Sequence, residues 1–277
     1  MTAILLFLAI IPVVIICTYI YRKDKNKEPG SLLVKLFGLG IISCFLVLIL
    51  SSIVFKIFPF MQNEVEQMNF FETMAYAFIG VALIEELCKW YMTYKGAYSH
   101  NEYDEVYDGI VYAVYVSLGF AFFENILYVL GNNSISVGIS RGLLAVPGHA
   151  CDAVFMGYYL SLAKMYSYKG NKKQEKKSLI LSIIVPTILH GIYDFCLFSQ
   201  IDILLLTFFI FVITIYILSI KKIKQLAGQS KPKTETHQTA VYQQYNNPAS
   251  QQQRFCPTCG IQVGDSNFCR NCGTRQR

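Results

Sequence analysis

The chain has 277 residues, of which 54% are hydrophobic and only 15% charged, and a mean hydropathy of +0.40. Several apolar runs approach the roughly 20 residues that cross a bilayer as a helix, so the usual division of length into soluble domains does not apply to most of it. The formal net charge of +6 comes from Lys and Arg gathered in particular loops, which excludes reading it as a nucleic-acid footprint.

In chain order the sequence predicts seven membrane helices. They cover roughly Ala3–Tyr21, Leu32–Phe58, Phe70–Tyr91, Asp108–Leu130, Arg141–Ala163, Ser178–Phe198 and Ile201–Ile220. The first is expected to stay in place rather than be cleaved as a signal peptide, because no basic stretch precedes it and the charges follow it. The start of the third is open between Phe70 and Met74. Pro147 and Gly148 in the fifth predict a break or kink, tolerated at membrane depth where it lines a protein cavity. The sixth and seventh are close enough to form an antiparallel hairpin.

Lys and Arg set the expected orientation. Arg22, Lys23, Lys25 and Lys27 follow the first span, Lys164 to Lys177 follow the fifth, and Lys221, Lys222 and Lys224 follow the seventh. Lys95 follows the third span, and the even-numbered loops have none apart from Arg141 at a helix edge. The chain is therefore expected in the cell membrane as a multi-pass protein, N-terminus outside and C-terminus cytoplasmic.

The spans carry costly polar residues. A charge at membrane depth costs roughly 2.5–3.5 kcal/mol on the milder scales. Yet FIGVALIEELCKWYM holds Glu85, Glu86 and Lys89, GFAFFENILYVL holds Glu124, AVPGHACDAVF holds His149 and Asp152, and ILHGIYDF holds His190 and Asp194. On a helix Lys89 is one turn from both glutamates. Adjacent carboxylates in a low dielectric do not both ionise readily, so one suits a general base taking a proton from water. His190 and Asp194 share a helix face, so both could touch one metal or the Asp could orient the imidazole. With His149 and Glu124 they make a histidine–carboxylate set of the kind that holds catalytic zinc. Asn125 and Arg141 could stabilise an oxyanion, and Asp152 is either a supporting group or a packing residue. By depth, Glu85 and Glu86 fall toward the cytoplasmic side of the other polar residues if the third span begins at Phe70.

The ordered motifs EELCK, FAFFENILY, PGHA with FMGY, and HGIYDF, together with the opening YRKDKNKEPGSLLVKLFGLG, resemble the PrsW family of intramembrane metalloproteases, distant relatives of the type II CAAX prenyl proteases. The resemblance covers about residues 10–220. It implies a water-activating base at Glu85 or Glu86 and metal-associated residues at Glu124, His149 and His190, supported by Asp194. It also implies cleavage of a membrane protein such as an anti-sigma factor. The competing reading is a non-enzymatic membrane receptor, scaffold or transporter with a polar cluster; no internal repeat of the transporter kind is evident.

From about 226 to 253 the composition is that of a disordered tether, following a membrane domain of residues 1–225. His237 within it is assigned no role. Residues 254–277 hold Cys256/Cys259 and Cys269/Cys272, two CxxC pairs separated by nine residues. This spacing predicts a small zinc ribbon clamping one structural Zn²⁺, folded largely by its metal and available to a cytoplasmic protein partner. The expected fold is thus an all-α transmembrane bundle plus a zinc ribbon, with a divalent metal, expected to be Zn²⁺, among the helices. The expected partners are lipid and a membrane-protein substrate, not nucleic acid.

Overall fold

The computed structural model describes residues 2–230 and the strand residues 254–255 and 262–263. The chain divides into two units, Met1–Ser230 and Lys231–Arg277. The first is all helix: α1 (Thr2–Lys23), α2 (Gly30–Ile57), α3 (Phe70–Ala75), α4 (Ile84–Thr93), α5 (Val106–Asn132), α6 (Ile135–Ser140), α7 (Val146–Tyr168), α8 (Lys172–Phe198) and α9 (Asp202–Gln229).

Five of these, α1, α2, α5, α8 and α9, are long and apolar enough to cross a membrane. The third and fifth expected spans appear instead as composite runs. Residues 70–98 pass from α3 through a π-helical segment, Tyr76–Leu83, into α4 and a second π segment, Tyr94–Tyr98. Residues 135–168 pass from α6 through the π segment Arg141–Ala145 into α7. The start of the first run is settled by chemistry. Asn69 Oδ1 accepts from the amides of Phe71 and Glu72 at 3.0 and 3.1 Å, and Glu72 accepts from the Asn69 amide at 2.9 Å, a reciprocal cap that begins the helix at Phe70. Pro147 lies within the second continuous run, directly after the π segment Arg141–Ala145, so the irregularity expected at Pro147 and Gly148 begins a few residues earlier.

α5 is the centre of the bundle. Its most apolar window is 67% buried, against 22% for α1 and α9 at the periphery. Glycine lets it approach its neighbours backbone to backbone, as small residues do between membrane helices. A Cβ on Gly119 would overlap the Phe37 carbonyl and one on Gly40 the Val116 carbonyl, joining α5 to α2. Gly109 and Gly157 do the same between α5 and α7.

α8 and α9 form the expected tight hairpin, turned through Gln200 at φ 53° and packed through Cys196, Phe208 and Val212. α9 outruns the expected boundary near residue 225, because Ile223, Leu226 and Ala227 are buried in the same core cluster as Ile20 of α1. In the second unit, Arg254–Phe255 (β1) and Gln262–Val263 (β2) pair antiparallel, with Arg254 opposite Val263. Cys256, Cys259, Cys269 and Cys272 lie outside the described residues, as does the expected tether apart from its first residues, which belong to α9.

Candidate active site

Glu85 and Glu86 begin α4 directly after the π segment Tyr76–Leu83. His149 follows the π segment Arg141–Ala145 within the first turn of α7. Such segments often mark functional positions because they shift the side chains that follow around the helix. His190 is admitted by its neighbour. Gly191 packs against the Phe78 ring of the first π segment, leaving no room for a Cβ, and this brings α8 up to the segment from which α4 continues.

Lys89, fully buried, links the parts. Its Nζ lies 2.7 Å from Glu86 Oε1, 3.2 Å from Glu85 Oε2 and 3.1 Å from His149 Nδ1, and 4.3 Å above the Phe120 ring. His149 Nε2 lies 3.1 Å from Glu124 Oε2. The ring of His190 faces carboxylates on both sides, with Nδ1 2.9 Å from Glu86 Oε1 and Nε2 3.3 Å from Asp194 Oδ2. The two imidazole rings stand edge to face, 5.3 Å apart. The depth difference expected for Glu85 and Glu86 therefore does not separate them from the rest.

Arg141 is not a loop charge. Its Nη2 donates to Glu124 Oε2 at 2.6 Å, its Nε donates to Asn125 Oδ1 at 3.0 Å, and its guanidinium lies 3.9 Å from the Tyr128 ring centre. Asn125 is oriented by donating from Nδ2 to the Ala9 carbonyl at 3.4 Å. Asn125 thus fixes Arg141, and Arg141 fixes Glu124.

These groups surround a cavity of about 360 Å³ whose walls include Glu85, Glu124, Arg141, His149, Asp152 and His190, but not Glu86. Two sets of donors converge closely enough to hold one metal, with ligand atoms within 4.8 Å of one another: Glu86, His149, Asp152 and His190, and Glu85, Glu124 and His149. Glu124 and His190 fall in different sets, and Asp194 in neither. Imidazole nitrogen with carboxylate oxygen suits zinc and similar divalent ions. Glu86 Oε2 is buried without a hydrogen-bond partner, an atom for which a cation would be a natural neighbour. The residues present therefore fit a metal. Asp152, left between two roles by the sequence, belongs to the first set; its i,i+3 spacing from His149 was the available signal. Phe120, beneath Lys89, and Phe78, against Gly191, had none.

Residues 28–220 match the family model described as PrsW family intramembrane metalloprotease. A protein from Oceanobacillus iheyensis named Protease PrsW is 37% identical over 218 residues, 78% of this chain and 93% of that protein. Proteins of the same name from Clostridioides difficile and Bacillus subtilis are 30% identical over 231 residues and 36% over 189 residues, covering 82% and 68% of this chain and 93% and 80% of their own lengths. No solved structure matches.

Proposed function

The chain belongs to the PrsW family of intramembrane metalloproteases, a family of membrane-embedded peptidases, and from that premise we propose that it cleaves a membrane-anchored protein, such as an anti-sigma factor, by hydrolysis at the cavity beside Glu85. The observation that carries this reading is the convergence of Glu85, Glu124, His149 and His190, from four separate helical runs, on one cavity.

Glu85 is the base in this reading. It lines the cavity, whereas Glu86 does not and is engaged through Oε1 with Lys89 and His190. Glu85 takes a proton from the attacking water and hands it to the leaving amine. Lys89 keeps the carboxylate pair together, and Arg141 offers positive charge to a developing oxyanion. His149, His190, Glu86 and Asp152 would hold a divalent metal. Glu124 and Asp194, which the resemblance implies among the metal-associated residues, flank that set by holding the Nε2 atoms of the two histidines. When bound, such an ion, Zn²⁺ in this reading, supplies the Lewis acidity that activates water and polarises a carbonyl.

The two composite runs span the membrane with the five longer helices, giving seven crossings, N-terminus outside and C-terminus cytoplasmic by Lys and Arg bias. The four cysteines of the tail form a structural zinc ribbon available to a cytoplasmic protein partner. The β1–β2 pairing brackets Cys256 and Cys259 in sequence, which supports that reading.

The test is cleavage of membrane proteins, read by quantitative proteomics, in cells carrying wild type, Glu85→Gln or Glu86→Gln. Glu85→Gln should abolish cleavage while the protein still inserts. Wild-type cleavage by Glu85→Gln would end the assignment of Glu85 as the base, and wild-type cleavage by both variants would end the mechanism.

A further inference from the structure

A second cavity, of about 630 Å³, lies among α1, α7 and α9, away from the carboxylates. Ile16, Ile20, Val154 and Ile223 make it mainly apolar, and Lys23 and Lys224 stand at one end. Both lysines are exposed and make no ion pair among the described residues. They come from the C-terminal parts of two helices, α1 and α9, that meet at Ile20 and Ile223. The opposite end is closed by Pro147 and Tyr216. Ile15 and Ile220 on the rim are 61% and 43% exposed, so the space opens sideways, in the direction lipid would occupy.

From this shape and charge we infer that the cavity binds an anionic phospholipid, one acyl chain lying along it and the headgroup phosphate between Lys23 and Lys224. The lining on α1 and α9 runs about 12 Å along the helices at 1.5 Å per residue, the length of a partial acyl chain. The two ammonium groups at one end of an apolar slot match a phosphate at the end of a hydrocarbon tail. A neutral ligand would leave them unused. The site also touches the catalytic machinery. Tyr216, at its closed end, donates to the carbonyls of Leu143 and Leu144 at 3.0 and 3.2 Å, within the π segment that carries Arg141.

The test uses the full-length protein in detergent, titrated with phosphatidylglycerol or phosphatidylcholine of identical chains and read by native mass spectrometry. One phosphatidylglycerol should be retained in preference to phosphatidylcholine. The pair Lys23→Gln/Lys224→Gln should weaken that retention roughly tenfold or more. Ser219→Leu, which fills the cavity from a buried wall position, should abolish it. The pair Lys172→Gln/Lys173→Gln, removing the same charge elsewhere, should leave it unchanged. Thermal unfolding identifies any variant that fails to fold, and the remaining variant then decides. Equal retention of both lipids would overturn the inference. So would equal loss in the Lys172/Lys173 pair, survival of binding in a folded Ser219→Leu, or displacement of the lipid by glycerol phosphate alone.

Discussion

Replacing Lys89 with Met tests whether the polar cluster is held by charge. The Nζ has two carboxylate neighbours, at 2.7 and 3.2 Å, in a fully buried position. At an effective dielectric near 20, Coulomb's law gives roughly 6 and 5 kcal/mol for these distances. Desolvation of three buried charges removes much of that, but Lys89→Met recovers none of the carboxylates' share. Breaking a buried pair by deleting one partner costs about 3–5 kcal/mol, and we expect a loss of that size. SDS-titrated unfolding in mixed micelles, followed by circular dichroism, measures it. The same substitution in a Glu85→Gln/Glu86→Gln background should cost about 1 kcal/mol or less, since the orphaned charges are gone. A loss under about 1 kcal/mol in the otherwise native protein would refute the reasoning and leave Lys89 a packing residue.

Gly119→Leu should prevent the close approach of α5 to α2, because its first side-chain carbon already overlaps the Phe37 carbonyl; the cost should exceed the roughly 1–3 kcal/mol of ordinary overpacking, and an unchanged unfolding midpoint would contradict the packing described. Purified without chelator, the whole protein should carry two metal equivalents by elemental mass spectrometry. Deleting residues after Ser230 should remove one, and His149→Ala/His190→Ala the other. No metal in the tail-deleted protein would count against the intramembrane site. A reporter fused after Arg277 should read cytoplasmic, and an impermeant thiol reagent should leave the tail cysteines unlabelled in intact cells; an exported signal would mean the span count is off by an odd number.

The helices were legible because apolar length and charged loops state them directly, and the chemistry because a buried Glu, His or Asp stands out against Leu and Ile. Local backbone form was not. Nothing in YAFIGVAL or RGLLA announces a π-helical turn, since that form answers to packing across helices, here Phe78 on Gly191. The same limit explains Arg141. The sequence offered it both as an edge charge and, with Asn125, as an oxyanion group, but not as the partner of Glu124 and Asn125, which lie 17 and 16 residues earlier on α5. Asp152 was visible but ambiguous, because a carboxylate one turn after a histidine reads equally as support or as ligand until other helices are in place.

The glycine contacts on both sides of α5 restrict how a polypeptide can reach Glu85. With Gly40 and Gly119 joining it to α2, and Gly109 and Gly157 joining it to α7, three helices are held at main-chain contact at these points. Opening therefore falls to the aromatic rim of the cavity, where Tyr76 of the first π segment meets Phe198 at the end of α8 with ring centres 5.8 Å apart. That pair joins a backbone stretch of unusual winding to the last turn before the α8–α9 hairpin, so swinging the hairpin outward would unlatch a doorway and leave those three helices in place.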